Sequence, residues 1–289
     1  MTGGIVAVVL NYERADDTIR CVRSLRAVHG LEGVIVVDNA SRDDSVERLR
    51  QEFPEVELVA SAENRGYTGG NNLGIRQALA RRARFVLVVN NDVEVVDGRF
   101  AGVLADRLAA EPRAGIAGPL VRYPDGTEQD TVERFPSFRL AARLALAHRA
   151  GGRRRPPAAE SEVDAVNGAC LLLKRELLDQ VDGFDEGYFM YGEEADLAWR
   201  ARRKGWTSIF VPVPGVVHHH ELGEQRDEGA LLSRRNFVRF CFLHRGRASG
   251  AATALFFLAG AAGRDLRHGQ RRELPALWGA LRWVWGESR

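Results

Sequence analysis

Short apolar runs alternate with amphipathic stretches through residues 5–92. Residues 5–10, 34–37 and 85–89 are apolar, and 56–59 is apolar apart from Glu57; all are rich in Val and too short for helices. Such runs predict strands buried on both faces of a parallel sheet. Between the first two, residues 15–28 place Ile19, Val22 and Leu25 at helical spacing. After the second, Ser41 or Asp43 can cap a helix carrying Val46 and Leu49. A Gly-rich run at 63–72 leads into a further helix, which starts near Gly70 and continues through Ala83. This alternation predicts an α/β fold with a doubly wound parallel sheet and right-handed crossovers. Three of the strands end in polar residues: Asn11-Tyr12-Glu13, Asp38-Asn39 and Asn90-Asn91-Asp92. In open α/β sheets ligands bind at that carboxyl edge.

Beyond Asp92 the rhythm changes. The pattern predicts a helix over 98–110, a strand over 116–122 and a turn at Tyr123-Pro124-Asp125-Gly126. Residues 128–162 are Arg-rich and read as a long loop with one helix at 137–148. A strand over 163–173, a helix over 193–203 and an extended segment over 209–217, interrupted by Pro212 and Pro214, follow. Residues 230–245 and 251–289 read as helices. Leu274, Leu277, Trp278, Leu281, Val284 and Trp285 form an apolar stripe beside Arg271, Arg272 and Arg282. Such a stripe suits either packing on its own domain or a membrane interface.

Composition narrows the classes. The 289 residues are 45% hydrophobic and 28% charged, ordinary for a globular chain. A net charge of +2 gives no global field for nucleic acid, and no nucleic-acid partner is expected. Arginine nevertheless clusters at 139–155 and 264–289. Cys21, Cys170 and Cys241 are far apart, which fits a reducing compartment and no metal or disulfide framework. The N-terminus shows no basic segment or cleavage site of a secretory signal. The apolar run 251–262 falls well short of the roughly 20 residues that span a bilayer.

Asp92 is a hard oxygen ligand, whereas Asn90 and Asn91 only donate or accept hydrogen bonds. One carboxylate can hold Mg²⁺ or Mn²⁺ if a diphosphate and water supply most of the oxygens. The competing reading is a strand end whose amides satisfy a turn. Glu193, Glu194 and Asp196 open a helix, where three acids also simply complement the helix dipole. Phe184, Tyr188, Phe189, Tyr191, Trp199 and Trp206 surround that helix and suit either a sugar face or the core.

Four segments together, Val8-Val9-Leu10-Asn11-Tyr12, Val36-Val37-Asp38-Asn39-Ala40-Ser41, residues 63–74 and GYFMYGEEADLAWR at 187–200, resemble the family 2 glycosyltransferases, most of all their rhamnosyltransferase branch. The resemblance covers residues 5–220 and thins beyond 245. It implies a GT-A fold: a Rossmann-like, mostly parallel central sheet flanked by helices, here with a helical C-terminal extension. Its implied division is a glycosyltransferase domain at 1–225, with a nucleotide-binding half at 1–97 and an acceptor-binding half at 98–225, and an extension at 226–289.

Carried onto these residues, the resemblance makes Asp38 the acceptor of a base hydrogen bond. Asn11, Glu13 and Asn39 line the same nucleoside pocket. Gly66 lets backbone approach the donor, and Arg65 takes over from the Arg that many relatives carry where this chain has Asn71. Asn90, Asn91 and Asp92 stand where the family has its DxD motif, with the first acid replaced by an amide. Glu194 stands at the general base, usually Asp, with Glu193 and Asp196 as rivals. His218 matches a histidine that reaches the metal or diphosphate. The implied reaction is an inverting, Mg²⁺- or Mn²⁺-assisted transfer from a nucleotide-diphosphate sugar, dTDP-rhamnose foremost, to a glycan or polyprenyl-diphosphate-linked acceptor. A cytoplasmic location is expected, with peripheral contact of the C-terminal helix at the inner membrane. A nucleotidyltransferase and a catalytically inactive sugar-binding homologue are the alternatives. The segment Asn11-Tyr12-Glu13-Arg14 lacks the Gly- and Lys-bearing loop of the former, while Asn90 and Glu194 motivate the latter.

Overall fold

Val-rich runs buried on both faces build the centre of the molecule. The computed structural model describes residues 4–149, 155–219, 227–268 and 273–287. Its first segment contains β1 (Ile5–Asn11), α1 (Ala15–Leu25), β2 (Leu31–Asp38), α2 (Ser45–Glu52), β3 (Glu57–Ala60), α3 (Gly66–Ala80) and β4 (Phe85–Asn90). All four strands run parallel: β1 pairs with β2 and β4, and β2 pairs with β3. The five apolar residues of β4 are buried, as the run predicts.

The chain continues through β5 (Val93–Val95), α4 (Arg99–Ala110), β6 (Ala114–Arg122), β7 (Val132–Glu133), α5 (Phe138–Arg149), β8 (Ser161–Val163), β9 (Ala165–Val166), β10 (Cys170–Lys174), α6 (Arg175–Val181), α7 (Glu193–Arg203) and β11 (Thr207–His218). The main sheet has the order β3-β2-β1-β4-β10-β6-β11-β5, with β8 added on β11. It is mixed, because β10 lies antiparallel to both β4 and β6, and β5 antiparallel to β11. The expected mostly parallel sheet is found, with the antiparallel pairings confined to β10, β5 and β8. An apolar run reports burial on two faces, and it carries no information about strand direction.

Smaller departures have local causes. The helix expected near Gly70 begins at Gly66, because Asn64 Oδ1 accepts the Gly66 N–H at 2.9 Å and closes the first turn earlier. The single strand expected over 163–173 is broken between β9 and β10 at Asn167-Gly168-Ala169, where the Asn167 amide oxygen accepts the Ala169 N–H at 2.9 Å. The strands β5, β7 and β8 are two or three residues long, too short to leave a pattern. At the prolines, β11 keeps its pairing with β6 but shifts register between Phe210 and Pro214 and again before Val216.

The chain divides into two compact units: residues 1–133, 154–189 and 193–220, and residues 134–153, 190–192 and 221–289. In the first, Leu25 of α1 and Leu104 and Leu108 of α4 are fully buried in the same cluster as Val9 and Leu87. Each such leucine contributes about 1.5–3 kcal/mol relative to an exposed one. In the second, α5 is joined by α8 (Asp227–Arg245), α9 (Arg247–His268) and α10 (Glu273–Glu287). The run read as one helix over 251–289 is thus two helices. Leu277 and Leu281 of α10 are buried with Val238, Ala254 and Ala261, so part of the apolar stripe packs its own unit. Trp278, by contrast, is 47% exposed. Within the arginine clusters noted in the sequence, Arg153, Arg154, Arg271, Arg272 and Arg289 lie outside the described residues, as do the side chains of Val284 and Trp285.

Candidate active site at the carboxyl edge of the sheet

Parallel pairing sets Asn11 directly beside Asp38, at the ends of β1 and β2. Both are buried. Asn11 Nδ2 donates to Asp38 Oδ1 at 2.8 Å and to Ser41 Oγ at 3.1 Å. Ser41 donates its hydroxyl to Asp38 Oδ1 at 2.6 Å and its N–H to Asp38 Oδ2 at 3.0 Å. Thr18 of α1 donates to Asn11 Oδ1 at 2.7 Å, and Asn91 Nδ2 donates to Thr18 Oγ1 at 3.1 Å. These bonds lock the Asp38 carboxylate while Oδ2 keeps capacity for another donor, since a carboxylate offers about four acceptor sites. Glu13 is exposed, with a left-handed φ of 53°. It joins this group only through its backbone N–H, which donates to Ser41 Oγ at 2.9 Å.

Asn39 anchors the Gly-rich segment. Its Nδ2 donates to Asn64 Oδ1 at 2.9 Å and to the Gly66 carbonyl at 3.0 Å, and its Oδ1 accepts the Arg65 N–H at 3.0 Å. Gly66 has a φ of +68°, and a Cβ there would run into the Phe189 carbonyl and ring. The Asn71 amide donates to the Tyr67 carbonyl at 2.9 Å, within its own helix. The Arg65 guanidinium reaches Glu186 Oε2 at 3.0 Å.

Asp92 follows β4, and His218 ends β11. His218 Nε2 lies 3.1 Å from Asp92 Oδ1, and His218 Nδ1 lies 2.9 Å from Gln129 Oε1. The His219 N–H donates to the Asp92 carbonyl at 2.8 Å, which holds the two segments in register. Asp92 and His218 are a hard oxygen and an imidazole nitrogen. Two such ligands in adjacent octahedral positions, each about 2.1 Å from Mg²⁺, stand about 3 Å apart. The pair fits a divalent cation as two protein ligands. Among the described residues no group of three or more His, Cys, Asp and Glu side chains could hold a metal, so other oxygens must complete the shell.

The acids of α7 have separate surroundings. Glu194 Oε1 accepts the Gly168 N–H at 2.9 Å, and the Gly168 carbonyl accepts the Tyr67 hydroxyl at 2.9 Å. A Cβ on Gly168 would collide with Glu194 Oε1 and stand 2.9 Å from the Tyr67 hydroxyl oxygen. Glu193 is buried, and burial, then neighbouring Glu194, raises its carboxyl well above the usual range. Glu133 of β7 is raised in the same way, by burial and then by Glu194. The Asp196 carboxylate lies 2.6 Å from Arg200 Nε, and the Arg200 guanidinium also donates to the Val181 and Gly183 carbonyls at 2.7 and 2.8 Å. The two carbonyl bonds tether α7 to the end of α6, and the ion pair within α7 holds the guanidinium in place. The phenol of Tyr67 is raised well above 10 by burial, then by Glu194, Glu193, Cys170 and Asp92. It therefore senses carboxylates from both the β4 end and α7.

Half of the aromatics around α7 are structural. Phe184 and Tyr188 are buried, and Trp206 Nε1 donates to Gln180 Oε1 at 3.1 Å. Phe189 stays 42% exposed. Thr18, Tyr67, Gln129 and Gly168 join the site without having been singled out in the sequence. Thr18 and Tyr67 sit inside helices, and Gln129 falls in the stretch that carried no pattern. For Gly168 a signal existed: a glycine interrupting an otherwise apolar strand marks close approach of another group.

Comparison with known proteins identifies the family and the fold. The family described as "Glycosyl transferase family 2" matches residues 6–182. The chain is 32% identical over 264 residues to the N-acetylglucosaminyl-diphospho-decaprenol L-rhamnosyltransferase of Mycobacterium tuberculosis, covering 84% of this chain and 85% of that one. It is 26% identical over 242 residues to the low-salt glycan biosynthesis hexosyltransferase Agl10 of Haloferax volcanii, covering 80% and 72%. Among solved structures, GalNAc-T7 with UDP, GalNAc and Mn²⁺ superposes with a TM-score of 0.64 at 16% identity, covering 83% of this chain and 47% of that one. The mannosyltransferase PcManGT of Pyrobaculum calidifontis, with GDP-Man and Mn²⁺, gives 0.58 at 18% identity, covering 98% and 75%. These structures share the GT-A architecture. The chain belongs to glycosyl transferase family 2 and is a rhamnosyltransferase-like enzyme of that family.

Proposed function

We propose that this glycosyltransferase moves rhamnose from dTDP-rhamnose to a glycan carried on a polyprenyl diphosphate, with inversion at the anomeric carbon. The observation that carries the reading is the facing of Asp92 and His218 across 3.1 Å at the carboxyl edge of the sheet. The similarity to a decaprenol-linked L-rhamnosyltransferase over nearly the whole of both chains supports the donor and acceptor.

In this reading the nucleoside lies against β1 and β2. Asp38, held by Asn11 and Ser41, accepts a base N–H, with Asn39 and Glu13 at the pocket wall. The Thr68 and Gly69 N–H groups in the first turn of α3 face the diphosphate, since those of Gly66 and Tyr67 are held by Asn64 Oδ1 and the Phe189 carbonyl. Arg65 can turn from Glu186 towards it, while Asn71 is occupied within its helix. Asn90 and Asn91 hydrogen-bond donor hydroxyls. Asp92 and His218 hold Mg²⁺ or Mn²⁺. That cation, when bound, neutralises the leaving diphosphate.

Glu194 is the general base. The Gly168 N–H fixes its Oε1, and the second oxygen takes the acceptor proton as the acceptor oxygen bonds to the anomeric carbon. The bond from that carbon to the diphosphate breaks, and dTDP leaves. Glu193, which burial keeps protonated to higher pH, and Asp196, paired to Arg200, shape the helix rather than take the proton. Residues 1–97 form the donor half and 98–225 the acceptor half, with 226–289 as extension. No described helix is long and apolar enough to cross a membrane. The exposed Trp278 supports a peripheral contact with the cytoplasmic face of the inner membrane.

Release of dTDP from dTDP-rhamnose with Mn²⁺, measured with and without a polyprenyl-diphosphate acceptor, tests the reading. Release that Asp92→Ala abolishes is expected. No release under either condition would favour an inactive sugar-binding homologue, and release from another nucleotide sugar alone would change the donor.

A further inference from the structure

We propose that Gln129 is a positioning residue that fixes the tautomer of His218 and so aims the Nε2 lone pair at a divalent cation shared with Asp92. The inference rests on the metal reading above and adds a residue that touches neither metal nor substrate.

Gln129 and His218 are both buried, at 9% and 6% exposure. The Gln129 Oε1 to His218 Nδ1 separation is 2.9 Å. An amide oxygen can only accept, so Nδ1 carries the proton. In the neutral ring this leaves the lone pair on Nε2. That atom lies 3.1 Å from Asp92 Oδ1, where a bound cation would meet both. With the opposite tautomer, Nε2 would carry a proton and could not bind the metal.

The backbone holds Gln129 in place by short-range means. Tyr123 and Thr127 close a turn through the Tyr123 N–H to Thr127 carbonyl bond at 2.9 Å, and the Gln129 N–H returns to the Val121 carbonyl at 3.0 Å. Val121 belongs to β6, which pairs with β11 through Val216 and Val217, next to His218. The turn after β6 thus folds the amide back over the end of β11. A histidine ligand whose other nitrogen is held in this way typically loses 10–100-fold in metal affinity when the holding group is removed.

The test is Mn²⁺ titration of the full chain, reading free Mn²⁺ by electron paramagnetic resonance, with dTDP present. Wild type, Gln129→Leu and Gln129→Glu are compared. Gln129→Leu removes the acceptor at similar volume, and its affinity should fall about 10–100-fold. Gln129→Glu keeps an acceptor for the Nδ1 proton and should bind at least as tightly as wild type. A purely structural role predicts the reverse order, because an added buried charge costs more than an apolar isostere. Wild-type affinity in Gln129→Leu, or weaker binding by Gln129→Glu than by Gln129→Leu, would overturn the inference. Should Gln129→Leu fail to fold, Gln129→Glu alone decides: wild-type affinity supports the inference, and a loss of about tenfold or more refutes it. Absence of Mn²⁺ binding by the wild type would instead overturn the metal reading, and this inference with it.

Discussion

Replacing Gly168 by Ala puts one methyl group where Glu194 reaches its backbone partner. The Gly168 N–H donates to Glu194 Oε1 at 2.9 Å, and an added Cβ would collide with that same oxygen. The side chain must then swing away and lose a hydrogen bond to a charged acceptor, worth about 1.5–3 kcal/mol. If that bond is what holds the base in place, the loss corresponds to roughly 10–150-fold in kcat. A displacement of the base by about 1 Å would cost a similar factor, on the order of 100-fold. The backbone at Gly168 does not lie in the left-handed region, so alanine adds no φ strain. The lost hydrogen bond alone then corresponds to a fall in Tm of roughly 3–12 °C. The double variant Gly168→Ala/Glu194→Asp supplies the control. Aspartate is one methylene shorter and withdraws from the added methyl group, so the two substitutions should be non-additive, with the double variant more active than the product of the single effects. Steady-state dTDP release gives kcat for all four proteins. Gly168→Ala with kcat within about threefold of wild type would refute the idea that this peptide positions the base.

Other expectations follow from the same geometry. Asn72→Ala removes an amide that donates to the Phe184 carbonyl and accepts the Phe184 N–H, each at 2.9 Å, so urea unfolding should show a loss of about 2–4 kcal/mol; a loss below about 1 kcal/mol would contradict the burial of that pair. Because burial raises the Glu193 carboxyl above its ordinary 4.5, the folded chain binds more protons than the unfolded one above that pH. The stability linked to Glu193 is thus complete below pH 4.5 and lost as pH rises through the raised value. Glu193→Gln should flatten the fall in stability measured between pH 5 and about 8, and an unchanged slope would exclude Glu193 as its source. Chelation of divalent cations should lower dTDP-rhamnose affinity in wild type and leave Asp92→Ala unaffected, as read by calorimetry; equal losses in both would remove Asp92 from the metal shell. In flotation with anionic vesicles, Trp278→Ala should reduce recovery in the lipid fraction, and identical recovery would sink the membrane contact.

The sequence by itself determined the first four strands and their parallel direction, because a helix-length stretch separates each from the next and serves as a crossover. It also placed Asn11, Asp38 and Asp92 at one edge, since strand ends of a parallel sheet share that edge. It named the acids of α7 but could not divide their roles: a helix start with three acids looks the same whichever one is buried. The tertiary structure gave each acid its own surroundings. It buried Glu193, gave Asp196 to Arg200 and left Glu194 to the Gly168 N–H. Only the fold could reverse β10 against β4, since apolar periodicity is blind to direction. Only the fold could bring Gln129, His218 and Asp92 together. They lie on a turn, the last residue of a strand and a second strand end, and their meeting depends on the pairing of β6 with β11, which no local pattern encodes.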